Sequence, residues 1–502
     1  MNVRLRAFLA AVASAFAAVG VLRAEPWAGP GGITPANHRF IQRTMKAMEA
    51  STAENPAHVR VLFYGQSIVE QCWHPLVIAG LQKRYPTVRF EVENRAIGGF
   101  ESPMLIRTSE TDLYPYYADL VFFNDFGRTD YVRKMIERLR ARTTAEVVMW
   151  TGHIHRSENG EVDKLMKDYD QRSKDLFRIA ADNRCMIVDL RRKWCRMLQD
   201  THFAATNLLA DGVHLNKKTG GLEAFANFLI EEMVRIPGTD GDPGCGTVTR
   251  HLVDFRAKGL KPDGTIDFKF DGNRVVAVIR DRRTGYYASP AKILLDGKEM
   301  SGMKELYSNT RATGIISWMP VVLNSTFETV PREETWTLTF LEGTDPRGLP
   351  VRYRVDGSVT GFDGEGVSTN DFISKSGRVR IDKGNFYGGQ FDYFACKDRW
   401  ANPAYKARPG MWTSWRTVAN FTDRLGIYLE PRERVLLVSG CSNGPHVLTF
   451  VPVVPSRPPD IAELVVYKPA GQDEGTVERL AAPKIKKATA TAGDGTGYLE
   501  ME

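Results

Sequence analysis

Between residues 58 and 235, short apolar runs alternate with amphipathic stretches. Residues 59–64 (Val-Arg-Val-Leu-Phe-Tyr) are rich in β-branched and aromatic side chains and stop at Gly65, which predicts a strand and a turn. Residues 68–84 carry a helical pattern that ends near Pro86, and 88–92 alternate with period two. Residues 120–123 and 146–150 are unbroken apolar runs of strand length, and 185–189 form another. Residues 131–142, 163–182 and 218–234 predict helices. Strands separated by helices imply a parallel sheet covered on both faces. Such a sheet takes its ligands outside the carboxyl ends of its strands. Function is therefore to be sought just after residues 64, 93, 124 and 151.

The texture changes past residue 236. Residues 237–244 (Pro-Gly-Thr-Asp-Gly-Asp-Pro-Gly) have the composition of a linker. Short strand-like runs follow at 274–279, 292–295, 335–340, 377–381 and 447–451, with turn pairs such as Asp271-Gly272 and Asp296-Gly297 between them. These predict an all-β region of one or two sandwiches, divided near 357–366 into parts spanning 245–356 and 357–470. The final segment, 471–502, is rich in Ala, Lys, Thr and Gly and is expected to be disordered.

The N-terminus carries Arg4 and Arg6, an apolar run over 7–22, and the small residue Ala24. This is the pattern of an export signal cleaved after residue 24, ahead of a lead-in at 25–57. The run of 16 residues is short of the roughly 20 needed to span a bilayer, and no span is expected after cleavage. Export places the protein outside the cytoplasm, secreted or periplasmic, where its six cysteines can pair in fifteen ways. None has CxxC spacing, so no zinc site is expected. A net charge of +7 on 502 residues, without a concentrated basic stripe, gives no reason to expect a nucleic-acid partner.

Four segments at the expected sheet edge could carry chemistry. Gly65-Gln66-Ser67 places a hydroxyl where a strand gives way to a helix, with its backbone N–H at the helix start. Alone, it also describes an ordinary serine N-cap. Asp211-Gly212-Val213-His214 sets a carboxylate three residues before an imidazole, which can fix the tautomer and leave the other nitrogen free as a base; alone, it is also a solvated turn. Asn94 to Phe100 contains Gly98-Gly99, through which a backbone N–H can approach a substrate oxyanion. The stretch after the third strand offers Asn124 or Thr129 as a further donor; the amide donates without depending on hydroxyl orientation, which favours Asn124. His153 and His155 follow the fourth strand and are candidates for lining a pocket; no third ligand makes them a metal site.

In order and spacing these segments resemble the SGNH (GDSL-like) hydrolase superfamily over residues 58–238: serine first, then glycine, then asparagine, with Asp-x-x-His near the end. The resemblance implies a flavodoxin-like three-layer α/β fold and a triad of Ser67, Asp211 and His214. It also implies an oxyanion hole from the N–H groups of Ser67 and Gly99 with the Asn124 amide, and chemistry without a cofactor. Two blocks depart from the pattern. Gln66 stands where Asp is usual, a substitution also found in sialate and xylan acetylesterase-like relatives. Asn124-Asp125 lacks the preceding glycine, and Gly127 to Asp130 has Thr129 where Asn belongs. The blocks at 64–68, 94–100 and 211–215 resemble a secreted bacterial subgroup of carbohydrate-active esterases, and residues 442–449 are similar to jelly-roll modules attached to such enzymes. The substrate this implies is an acylated carbohydrate. The alternatives are a lipase- or thioesterase-like enzyme and a carbohydrate-binding or surface protein that keeps the fold without turnover. Four tryptophans, Trp318, Trp400, Trp412 and Trp415, are either stacking faces for sugars or core residues of the β region.

Overall fold

The computed structural model describes residues 37–155, 170–255, 260–280, 289–314, 319–342, 350–387, 408–426, 429–430 and 432–471, and the backbone of 485–490 and 497–501. The export pattern, Trp318, Trp400 and Cys396 lie outside the described residues. Among the described residues Cys72, Cys185, Cys245 and Cys441 are free thiols.

The first half follows the apolar pattern closely. In chain order the elements are α1 (Gln42–Glu49), β1 (His58–Gly65), α2 (Ser67–Glu70), α3 (His74–Arg84), β2 (Arg89–Asn94), α4 (Ser102–Asp112), β3 (Leu120–Asn124) and α5 (Thr129–Arg142). They continue with β4 (Glu146–Trp150), α6 (Gln171–Asp182), β5 (Met186–Val188), α7 (Leu190–Thr201) and α8 (Gly221–Glu232). The five strands pair in parallel in the order β2-β1-β3-β4-β5. Period two along β1 sends Val59, Val61 and Phe63 to one apolar layer, with Trp73, Trp194 and Phe225, and Leu62 and Tyr64 to the other, with Met104, Val132 and Phe177. This is the flavodoxin-like three-layer α/β fold.

The helix expected over 68–84 is broken in two. Gln71 turns extended after α2, and Pro75, in the first turn of α3, fits only a fresh helix start. Helices α4 and α7 form where the sequence pattern predicts none, because charged and polar residues interrupt their apolar positions, as in Leu190-Arg-Arg-Lys-Trp194.

Beyond the linker all strand pairing among the described residues is antiparallel. The strands are β6 (Thr247–Leu252), β7 (Ile266–Ile279), β8 (Ala291–Leu295), β9 (Lys298–Glu299), β10 (Tyr307–Asn309), β11 (Thr313–Gly314), β12 (Glu334–Phe340), β13 (Arg352–Gly357) and β14 (Gly361–Val367). Next come the short pair β15 (Phe372–Ile373) and β16 (Arg380–Ile381), then β17 (Trp412–Ala419), β18 (Arg424–Leu425), β19 (Arg434–Pro452) and β20 (Ile461–Lys468). A larger sheet runs β18-β8-β19-β7-β20-β6 with β9 on β8; a smaller one runs β10-β17-β12-β13-β14 with β11 on β17. The division expected near residue 357 does not describe this arrangement, because β13 and β14 form a hairpin across it. The smaller sheet is instead nested, all its strands lying between β9 and β18 of the larger one. Each sheet has its own apolar cluster, one around Val275, Ile293 and Leu448, the other around Trp336, Tyr353 and Trp415.

The two turn pairs behave differently. Asp296 and Gly297 both have positive φ (49° and 75°) and close the β8–β9 hairpin. Asp271-Gly272 lies inside β7, where a Cβ on Gly272 would stand 2.3 Å from the Tyr467 carbonyl oxygen. That glycine marks a close backbone approach, not a turn. The tail, expected to be disordered, holds an antiparallel pair, β21 (Ile485–Ala490) with β22 (Gly497–Met501).

Candidate active site

Strand β1 ends at Gly65, and its neighbour β3 ends at Asn124, its register partner. Gly65 has φ +156°, and a Cβ there would fall 1.9 Å from the Asn124 carbonyl oxygen, so only glycine brings the two strand ends this close. The chain turns through the extended Gln66, and Ser67 opens α2. Ser67 Oγ lies 2.9 Å from His214 Nε2, and His214 Nδ1 lies 2.8 Å from Asp211 Oδ2. The other Asp211 oxygen accepts the backbone N–H groups of Val213 (2.8 Å) and His214 (2.7 Å). Burial works against the charged form of Asp211, but these two N–H groups and the imidazole outweigh it and hold the carboxyl below its usual range. With a carboxylate on Nδ1, the ring carries its proton there and turns a lone pair toward Ser67.

Two residues that the sequence reading passed over fix this loop. The Gln71 side chain donates to the Leu215 carbonyl and accepts its N–H, both at 3.0 Å, tying the histidine loop to the serine turn. The only sequence signal was its place four residues after Ser67, one helical turn along. Asn94 donates to the Val69 carbonyl at 2.8 Å and accepts the Ala96 N–H at 3.0 Å, joining the end of β2 to α2.

Gln66 is buried, and its Oε1 stands 2.7 Å from Ser67 Oγ. The serine hydroxyl has one proton and two acceptors in reach, Gln66 and His214. Gly98 and Gly99 sit beside the turn. A Cβ on Gly98 would meet the Glu70 carboxylate at 2.3 Å; burial holds that carboxyl above its usual range, against the opposing Gly98 N–H. Gly99 has φ +81°, and a Cβ there would meet the Met319 methyl at 2.6 Å. Met319 belongs to the β region, as do Leu323 and Tyr387, and all three join the apolar layer of Tyr64, Ile97 and Phe100. Arg311, also from the β region, bonds Asp112 and the Arg95 carbonyl behind the same loop.

Asn124 is buried and spends one N–H on the Trp150 carbonyl at the end of β4. Thr129 is half-buried and opens α5, five residues past the sheet edge. His153 is a brace. Its Nε2 donates to the Val213 carbonyl at 2.6 Å, between Asp211 and His214, and burial pushes the imidazole down to about 3. The His155 ring lies 5.0 Å from that of His153. Among the described residues no group of three or more His, Cys, Asp or Glu is placed to hold a metal. Trp415 is buried in the smaller sheet, whereas Trp412 is 51% exposed.

Asp125 is fully buried, and among the described residues its oxygens have no hydrogen-bond partner beyond the backbone N–H of Phe126. Burial, partly offset by the Arg172 cation, holds its carboxyl well above the usual range. An acid raised in this way contributes its full stability only below the unfolded pKa of roughly 3.9, and loses it as pH rises toward the folded value. Asp125→Asn therefore gains stability at pH 7–8, by about 2–4 °C in Tm, and the gain fades near pH 4. Thermal unfolding followed by circular dichroism across that range measures it; a lower Tm at pH 7 would contradict the argument.

No protein-family model matches the chain, and no curated protein does. Among solved structures it is similar to a two-domain esterase (CEX) active on acetylated mannans, at 13% identity over 85% of this chain and 95% of that one, with a TM-score of 0.34. It is similar to Axe2, an acetylxylan esterase from Geobacillus stearothermophilus, at 18% identity over 35% of this chain and 94% of that one, TM-score 0.31. A third is LAE5, an alpha/beta hydrolase enzyme from the metagenome of Lake Arreo, Spain, at 18% identity over 35% and 94%, TM-score 0.30.

Proposed function

We propose that this chain, SGNH-type in its sheet order and in the order of its sequence blocks, is a secreted serine ester hydrolase that removes acetyl groups from a polysaccharide or oligosaccharide. The observation that carries the reading is the Ser67–His214–Asp211 line, 2.9 and 2.8 Å, at the carboxyl edge of a parallel sheet. The resemblance of the sequence blocks and the export pattern support the acetylated glycan and the location.

In the mechanism, the Ser67 hydroxyl turns from Gln66 to His214, which takes its proton as Oγ attacks the ester carbonyl. Asp211 stabilises the imidazolium that forms. The oxyanion of the tetrahedral intermediate is held by the N–H groups of Ser67 and Gly99 and by the second N–H of Asn124, the first being committed to Trp150. As the bond from the carbonyl carbon to the sugar oxygen breaks, His214 gives its proton to that oxygen, which leaves as a hydroxyl. A water molecule, deprotonated by His214, attacks the acyl-enzyme; acetate leaves as the bond to Ser67 Oγ breaks, and His214 returns the proton to Oγ.

Purified protein should release p-nitrophenol from p-nitrophenyl acetate and acetate from an acetylated polysaccharide, with both activities absent in Ser67→Ala. A wild-type chain inert on both would leave the non-catalytic reading standing. Asn124→Ala should lower kcat by roughly a hundred- to a thousandfold. Steady-state kinetics decide it: unchanged turnover would move the third donor to Thr129 or remove it.

A further inference from the structure

The amino edge of the parallel sheet, opposite Ser67, faces the larger β sheet across a cleft with two adjoining lobes of about 630 and 610 Å³. Both lobes are lined by His58 and Arg89, the first residues of β1 and β2, and by Arg432, Arg434 and Tyr467 from the β region. Three guanidinium groups thus share one cavity, and among the described residues none of the three forms an ion pair. Of the carboxylates lining the lobes, Glu91 is paired with Arg60 and Glu463 with Arg250. Asp119, which accepts the Arg60 backbone N–H, Glu433, which accepts that of Glu430, and Glu430 itself keep their charge in the same lining, so the lobe that holds Asp119 and Glu463 against Arg43, Arg89, Arg250, Arg432 and Arg434 is the more positive of the two. Arg434 donates only to a neutral group, the Tyr467 hydroxyl, at 3.0 Å. The His58 imidazole is pushed down by burial and then by Arg434 and Arg89, against the opposing carboxylates Glu91 and Asp119. Arg432 is one of the few non-glycine residues with positive φ, +62°. Strain of this kind persists only where the surroundings impose it, and it gathers at ligand clamps.

We propose that this cleft is a second binding site, distinct from the serine site, for a small organic anion whose oxyanion group is gripped by Arg89, Arg432 and Arg434. Guanidinium groups without an ion-pair partner in a walled cleft attract an anion, and the guanidinium fork matches carboxylate and phosphate oxygens two at a time. Each lobe far exceeds a bare ion and falls within the range of small-molecule sites. A sugar carboxylate and a phosphate share the required chemistry. The site depends on nothing at Ser67 and stands whether or not the chain turns over esters.

Isothermal titration of the full chain with trigalacturonate, with inorganic phosphate and with neutral mannotriose tests it. Saturable binding of at least one of the two anions, weakening as salt is raised, is expected, with none for the neutral sugar. Whichever anion binds identifies the source of the oxyanion. Arg89→Gln combined with Arg434→Gln should weaken that binding at least about tenfold, while turnover of p-nitrophenyl acetate and Tm stay as in the wild type. Arg432→Gly should weaken binding too, yet raise Tm, because the left-handed backbone is then unstrained. The absence of saturable binding by both anions, or binding undiminished in the double variant, overturns the proposal.

Discussion

Ser67→Ala is expected to lower kcat on an acetyl ester by roughly ten-thousandfold or more while leaving the fold intact. Among the described residues the hydroxyl bonds Gln66 and His214, so its loss empties no core and leaves a single buried acceptor, the Gln66 amide oxygen, without its donor. His214→Ala should be about as damaging, and the double variant hardly worse than either single one, because the two groups act as one unit. Asp211→Asn should cost a similar factor for a different reason. The amide would still fill the turn but would present the wrong group to Nδ1, freeing the other tautomer. Stopped and steady-state assays beside matched melting curves measure these effects. A Ser67→Ala protein that kept a tenth of its turnover would remove the triad from the mechanism.

The second large effect is expected from deleting the β region. A chain ending near residue 240 should be insoluble, or soluble with turnover reduced by well over tenfold. The reason lies behind the Gly98-Gly99 loop. Met319, Leu323 and Tyr387 complete the apolar layer that contains Tyr64 and Phe100, and the Phe100 and Tyr387 rings meet edge to face at 5.2 Å. Arg311 pairs with Asp112, a fully buried carboxyl that burial already raises above its usual range. Removing one partner of a buried ion pair costs about 3–5 kcal/mol. Arg311→Ala isolates that part of the effect and should lower Tm without removing any apolar contact. A truncated protein as soluble and as active as the whole chain would show that the β region is dispensable to the site.

The alternation of apolar runs made the α/β half readable because both faces of its sheet are covered. The strands β3, β4 and β5 had to be continuous apolar runs while the edge strand β2 alternates, and turns at the carboxyl edge fell where Gly65, Asn94, Asn124 and Trp150 now stand. What no local pattern could reveal was partner choice. Nothing in the sequence around Asn124 says that its amide bridges to Trp150, or that His153 reaches the Val213 carbonyl 60 residues away. The β half was harder still. Asp271-Gly272 has the composition of a turn, but only the approach of Tyr467 from a distant strand explains its glycine. The break near 357 rested on glycines that belong to one hairpin. Pairing between strands far apart in sequence leaves no signature in either segment alone.

The nesting of the smaller sheet has a consequence for the order in which the chain can acquire its structure. Strand β8 pairs with β18 and β19, so the larger sheet waits for about 130 residues to be made before its edge can close. Meanwhile the α/β half, synthesised first, is left with the back of its glycine loop uncovered until residues 319–387 arrive. Sequence-distant closure of this kind slows folding and lengthens the time during which unpaired strands stand open to association. The chain that gains a braced serine site from its nested sheet is therefore one whose yield, more than its final stability, is set by how long the interval between β8 and β18 lasts.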